Sequence, residues 1–83
     1  MSFSEELKVI RQHSFLSRET FSRKLNVSFS SVNRWEFRRA RPNLVAMKSI
    51  KSFCKAQGID FFCLEKEWHK ISNFWFENNA PFD

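Results

Sequence analysis

The 83-residue chain is long enough for one domain but not for a second hydrophobic core. Its 11 Phe and 3 Trp supply bulky apolar side chains, while one Gly and two Pro are too few for a turn-rich β fold. No apolar run approaches the ~20 residues of a membrane span, and no signal-peptide pattern is present. We therefore expect an all-α, cytoplasmic protein with no membrane partner.

The net charge of +5 is unevenly distributed along the chain. Residues 1–57 contain 12 Lys and Arg against 4 Asp and Glu, a net charge of +8, whereas residues 58–83 contain 2 Lys against 5 acids, a net charge of −3. A basic body followed by an acidic tail predicts an anionic partner for the body.

The cysteines and histidines give no sign of a metal site or of catalysis. Cys54 and Cys63 are nine residues apart, and adding His69 produces no spacing typical of zinc ligands, so two reduced thiols are expected. A single glycine excludes a glycine-rich nucleotide-binding loop. We expect a protein that is not an enzyme and has no cofactor.

The first predicted helix begins with a capping box, because Ser2 can cap the N terminus and Glu5 follows three residues later. Its apolar side chains recur at helical spacing as far as His13. The face expected to pack into the core consists of Phe3, Leu7 and Ile10.

Two short helices are predicted next, with Ser17 and Ser28 as their N-caps. Asn26, which tolerates a left-handed backbone better than most residues, is expected to end the first of them and begin a sharp turn. Arg41-Pro42 is expected to end the second, because the residue before a proline is disfavoured in the α region. The side chains expected to face the core are Phe21, Leu25, Val32 and Trp35, and those expected to face outward are Phe29, Ser30, Ser31, Asn33 and Arg34.

A fourth helix is predicted from the N-cap Asn43 to Gly58, which can serve as its C-cap. Its inner face would carry Met47, Ile50, Phe53 and Cys54, and its outer face Lys48, Lys51 and Lys55. A fifth helix is predicted beyond Asp60, where apolar residues recur every three or four positions. This seam consists of Phe61, Leu64, Trp68, Ile71 and Trp75. The chain thus divides into a body at residues 1–59 and an aromatic C-terminal helix and tail at 60–83.

The helix, turn and helix predicted in residues 17–37 have the spacing of a helix-turn-helix. In that unit the second helix can lie in the major groove of DNA while the first contacts the backbone. The outer face of the second helix is polar, and three arginines follow it at positions 38, 39 and 41. This pattern predicts that residues 1–59 form a domain that binds double-stranded DNA.

Three segments of the chain are similar to a known family: LSRETFSRKLNVS at residues 16–28, VNRWE at residues 32–36, and Arg41-Pro42. They resemble the Cro and phage-repressor (XRE) helix-turn-helix family, without gaps through residues 16–37. The resemblance implies a lambda-repressor-like bundle of about five helices, and a bacterial or phage repressor that inserts helix 28–37 into the major groove. The chain departs from the family pattern at Ser22, where Ala is usual, and at Asn26 and Arg38, where Gly is usual.

The resemblance also assigns roles to individual side chains. It implies that Phe29, Ser30, Asn33 and Arg34 read bases and that Trp35 and Glu36 hold the end of the recognition helix. Arg34 can form a two-pronged contact with guanine and Asn33 can pair with adenine. Phe29 either packs on a thymine methyl group or covers side chains of the preceding helix. The residues expected to bind phosphates are Arg18, Ser28, Arg38, Arg39 and Arg41.

The aromatic tail allows two interpretations, because residues 58–83 contain seven aromatic side chains. The seam from Phe61 to Trp75 completes the core of the domain, or it forms the interface of a homodimer that reads two half-sites. We expect it to do both. Two rival functions are a DNA-binding antitoxin whose tail holds a toxin, and an adaptor that binds proteins without binding DNA.

Overall fold

The structure of the chain is a computed structural model that describes residues 2–74, with the side chains of residues 2–70. Over this range the chain forms five α-helices: α1 (Phe3–His13), α2 (Arg18–Leu25), α3 (Phe29–Glu36), α4 (Leu44–Gln57) and α5 (Phe62–Phe74). The expected all-α fold with about five helices is therefore confirmed. None of the described helices is long and apolar enough to cross a membrane.

The first four helices begin where short polar side chains cap them, as the sequence predicts. Ser2 and Glu5 form the reciprocal capping box of α1. The side-chain oxygens of Ser17, Ser28 and Asn43 accept the backbone N–H three residues later, at 3.1, 3.1 and 2.9 Å. Each cap satisfies a donor that the first turn of a helix leaves without a partner.

A residue with a left-handed backbone follows each of these four helices, one or two residues after its last helical residue, at a φ angle of 58–70°. These residues are Phe15, Asn26, Arg38 and Gly58. In each case the N–H of the following residue donates to the carbonyl five residues earlier, at 2.8–3.2 Å. This pattern closes the helix and starts a sharp change of direction. The ends predicted at Asn26 and Gly58 are confirmed.

The third helix ends earlier than predicted. Its last residue is Glu36, and the chain turns at the left-handed Arg38, where the Arg39 N–H donates to the Arg34 carbonyl at 2.8 Å. Pro42 comes six residues after the last residue of the helix and four residues after the turn at Arg38. The prediction that Arg41-Pro42 ends this helix is therefore wrong, because the turn at Arg38 ends it first.

The core lies between the helices, with α1 against α3 and α5, and α2 against α3 and α4. Every residue predicted to face the core on the first four helices is buried. The Phe21 and Phe53 rings join α2 to α4 edge to face, with centroids 5.3 Å apart. Because α2 and α3 pack against each other across a three-residue connection, the exposed face of α3 has a fixed orientation relative to α2.

The seam on α5 belongs largely to the core of the single chain. Leu64 and Trp68 are buried, and Phe61 is partly buried against the same cluster. The Trp68 indole N–H also donates to the Pro42 carbonyl at 2.8 Å. The prediction that Leu64 and Trp68 join two copies is wrong, because both side chains are already covered by their own chain. The side chains of Ile71 and Trp75 lie outside the described residues.

The two thiols provide a test of this packing. Cys54 is buried, and burial together with the nearby Asp60 carboxylate raises the pKa of its thiol to about 11, whereas Cys63 is exposed. Because the thiolate is the reactive form, iodoacetamide at pH 8 should alkylate Cys63 rapidly and Cys54 only when the protein unfolds. Mass spectrometry over time measures both rates. A Cys63→Ser variant isolates Cys54, and equal rates at the two thiols would contradict the packing of α4.

Candidate nucleic-acid interface

The short helix α3 has two different faces. Val32, Trp35 and Glu36 are buried against the rest of the domain. On the opposite side Phe29, Ser30 and Arg34 are exposed and Asn33 is half-buried. Since neighbours three or four residues apart share a helix face, this division follows from the sequence pattern itself.

The buried carboxylate of Glu36 fixes the C-terminal end of α3. Its two oxygens accept hydrogen bonds from Arg11 Nε at 2.7 Å, Arg11 Nη2 at 3.2 Å and Arg18 Nε at 2.9 Å. The side chain of Glu36 is fully buried, whereas that of Arg18 is one-third exposed. Such charge-assisted bonds compensate for the loss of water around the carboxylate.

This ion cluster joins three helices and one loop. Arg11 lies on α1 and Arg18 begins α2, while Arg11 Nη1 also donates to the Leu16 carbonyl in the connecting loop at 2.9 Å. A second contact to the end of α3 comes from α1, where the Ser4 hydroxyl donates to the Trp35 carbonyl at 2.6 Å. The outer face of α3 is therefore presented from a rigidly connected base.

That outer face forms an open groove of about 450 Å³. It is lined by Phe29, Ser30, Asn33, Arg34, Phe37 and Arg39. The two phenylalanine side chains remain about half exposed, at 49% for Phe29 and 53% for Phe37. The guanidinium of Arg18 lies 5.1 Å from the centroid of the Phe37 ring, so the cluster around Glu36 also positions this ring. The groove combines hydrogen-bonding groups, cations and two apolar surfaces.

The four side chains predicted to read bases lie together, because Phe29, Ser30, Asn33 and Arg34 all line this groove. Of the residues predicted to bind phosphates, Arg39 lines the same groove. Ser28 caps α3 and is exposed beside it, so its hydroxyl has a structural role in the N-terminal turn.

Arg38 points toward the start of α1. Its Nη2 donates to the Ser2 hydroxyl at 3.0 Å and lies 3.6 Å from Glu5 Oε1, and the guanidinium remains mostly exposed. The hydrogen bonds that Ser2 donates to Glu5, from its backbone N–H first and its hydroxyl second, lower the pKa of the Glu5 carboxyl, and Arg38 adds to the effect. These contacts join Arg38 to the N-terminal turn of α1.

Arg41 is not on this surface, and its assignment to a phosphate is wrong. The residue is 2% exposed, and its guanidinium lies 5.0 Å from the centroid of the Trp68 ring. Arg41 is thus enclosed under α5, where the indole compensates part of its charge, and no phosphate can reach it. Burial lowers the pKa of its guanidinium from the ordinary value.

Phe37 also lines the groove, although it was not among the residues predicted to contact DNA. The signal was available, because Phe29, Asn33 and Phe37 follow one another at intervals of four residues and so share one face. Phe37 comes directly after the last residue of α3, whereas the resemblance placed it within helix 28–37. Its contact with Arg18 depends on tertiary structure and could not be read from spacing.

Comparison of the chain with protein-family models, with curated proteins and with solved structures finds no match. Within residues 2–70, no three His, Cys, Asp or Glu side chains are grouped so that they could hold a metal ion.

Replacing Glu36 tests whether the ion cluster holds the groove in place. Glu36→Gln removes the charge that compensates the buried Arg11 and should lower the free energy of unfolding by about 3–5 kcal/mol. The matched control is Glu19→Gln, which breaks the exposed 3.2 Å pair with Arg23. That change should lower the free energy of unfolding by only about 0.3–0.5 kcal/mol. Urea denaturation of both variants gives the comparison, and equal effects would contradict a structural role for Glu36.

Proposed function

We propose that this protein is a sequence-specific DNA-binding regulator of transcription, in which α2 and α3 act as a helix-turn-helix. The observation that carries the proposal is the groove on α3, because hydrogen-bonding side chains, arginines and apolar rings occur together on its exposed face. Such a face suits the base edges of the major groove, which offer hydrogen-bond donors, acceptors and methyl groups.

The dimensions of the domain are compatible with this role. An α-helix with its side chains is about 10–12 Å across, and the major groove of B-DNA is about 12 Å wide. The exposed side of α3 faces away from α1, which contacts its buried side. A duplex could therefore approach α3 while α2 lies beside the DNA backbone.

Phosphate contacts in this proposal come from Arg18, Ser28, Arg38 and Arg39. Arg39 lies in the groove itself, and Arg38 lies just beyond the C-terminal end of α3. Arg18 begins α2, with one-third of its side chain exposed, so it can contact a phosphate through the nitrogen atoms not bonded to Glu36. Such contacts hold a protein in register on DNA without specifying its sequence.

The proposal predicts a strong dependence of DNA binding on salt. Arg18, Arg38 and Arg39 together would neutralise about three phosphates per chain, which gives a slope of log K against log salt of about −3. A pair of chains on a two-half-site duplex would give about −5. Fluorescence anisotropy with one- and two-half-site duplexes at several salt concentrations measures both slopes. A flat response would refute DNA binding.

A second prediction distinguishes a residue that contacts bases from a residue that contacts phosphates. Arg34→Ala should weaken binding to the preferred site by about 1–3 kcal/mol and relax the preference at one base pair. Arg39→Ala should weaken binding to all sequences alike and make the salt slope shallower by about one. Competition between the preferred duplex and random duplex measures the distinction. If Arg34→Ala weakened both equally, Arg34 would have to be assigned to a phosphate.

A protein partner is the second candidate, favoured by apolar side chains outside the groove. Leu44 and Val45 at the start of α4 and Phe62 at the start of α5 are exposed. These side chains are available for a second copy of the chain or for a toxin, whereas Leu64 and Trp68 are not. An adaptor that used only these side chains would show no salt-dependent binding to duplex DNA, which separates it from the regulator.

A further inference from the structure

Two phenylalanine rings line the groove on α3. Phe29 begins α3 and Phe37 follows its last residue, and each ring is about half exposed beside polar groups and arginines. Two exposed rings on one groove with polar groups beside them have the composition of an interaction site. The occupant of this groove should therefore offer apolar surface in addition to hydrogen-bonding groups.

The charge of the groove restricts what that occupant can be. Arg34 and Arg39 line it, and none of its lining residues is acidic. The groove suits an anionic occupant with apolar groups. Duplex DNA has the negative charge, and its major groove has one kind of apolar group. The 5-methyl group of thymine is the apolar feature that ordinary DNA presents in the major groove. A methylated cytosine presents the same group at the same ring position.

We infer that Phe29 and Phe37 select DNA sites by contact with the 5-methyl groups of pyrimidines, with thymine as the source. The inference rests on the proposed function and deepens it, because it names a specificity that hydrogen bonds from Asn33 and Arg34 do not provide. The two rings are eight residues apart, which corresponds to about 12 Å along a helix. Successive base pairs are about 3.4 Å apart, so the rings contact methyl groups at different base pairs.

The positions of the rings support selection rather than loose attraction. Phe37 is held by Arg18, which is held in turn by the buried Glu36. The cap from Ser28 fixes the backbone of the first turn of α3, from which the Phe29 side chain extends. A ring that is held in place before binding loses little conformational freedom on contact. Removal of a contacted methyl group from the DNA therefore lowers the affinity.

The test begins with selection of duplexes from a random library by the full chain. Each thymine of the selected duplex is then replaced by deoxyuridine, which removes the methyl group and keeps the base pairing. For wild-type protein, at least one replacement near each ring should raise Kd by about fourfold, the factor expected for one buried methyl-sized group. Phe29→Ser should abolish this sensitivity at one position, and Phe37→Ser at another.

Phe15→Ser is the matched control, because Phe15 is an exposed phenylalanine outside the groove. This variant should retain the full sensitivity to deoxyuridine, and thermal melts establish that all three variants are folded. A further arm replaces the sensitive T·A pair by C·G or by 5-methylcytosine·G. Recovery with the methylated pair alone shows that the methyl group is read on either pyrimidine. No recovery shows that the hydrogen-bonding groups of the T·A pair are read together with the methyl group.

Failure of this inference is distinguishable from failure of the proposed function. If the selected duplexes bind but ignore deoxyuridine, or if the double variant Phe29→Ser/Phe37→Ser keeps the sensitivity, the methyl contact is refuted and DNA binding stands. Tighter binding to single strands than to duplex would also refute it, because the rings would then stack on unpaired bases. If no duplex is selected at all, the proposed function fails and the inference fails with it.

Discussion

The buried carboxylate of Glu36 is the constraint on which the position of α3 depends. A carboxylate that has lost its water is tolerated only where cations and hydrogen-bond donors surround it, and Arg11 and Arg18 supply these from two other helices. Because Arg18 also contacts the Phe37 ring, the same cluster that joins the helices sets one edge of the groove. Stability and shape of the site are thus coupled through one ion cluster, and a change at Glu36 affects both.

Local structure was largely predictable from the sequence, because it depends on neighbours in the chain. The caps at Ser17, Ser28 and Asn43 follow from hydrogen bonds across three residues, and the left-handed turn at Asn26 follows from the tolerance of that side chain. The outward positions of α3 follow from helical periodicity alone. For that reason the four residues predicted to read bases were found along one groove, whereas their contact with DNA remains a proposal.

What the sequence could not provide is the identity of the neighbour that covers each side chain. Periodicity marks Leu64 and Trp68 as one apolar face, but it does not say whether that face meets the same chain or another copy. The Trp68 indole meets Pro42 and Arg41, which are distant in the chain. Likewise, three arginines in a short run look equivalent by charge, yet Arg41 is enclosed whereas Arg38 and Arg39 are exposed. Burial of a cation depends on a tertiary contact that no spacing records.

The loop between α1 and α2 contains a residue whose backbone conformation lowers the stability of the fold. Phe15 holds a left-handed backbone, which is unfavourable by about 1–2 kcal/mol for a residue with a Cβ atom. Its side chain is 95% exposed and returns almost no packing energy. A glycine there would relieve the strain without touching the core, the ion cluster or the groove. A substitution at Phe15 can therefore raise the stability of the fold. Substitutions in the groove that alter specificity and lower stability can be offset in this way, because Phe15 does not contact the groove.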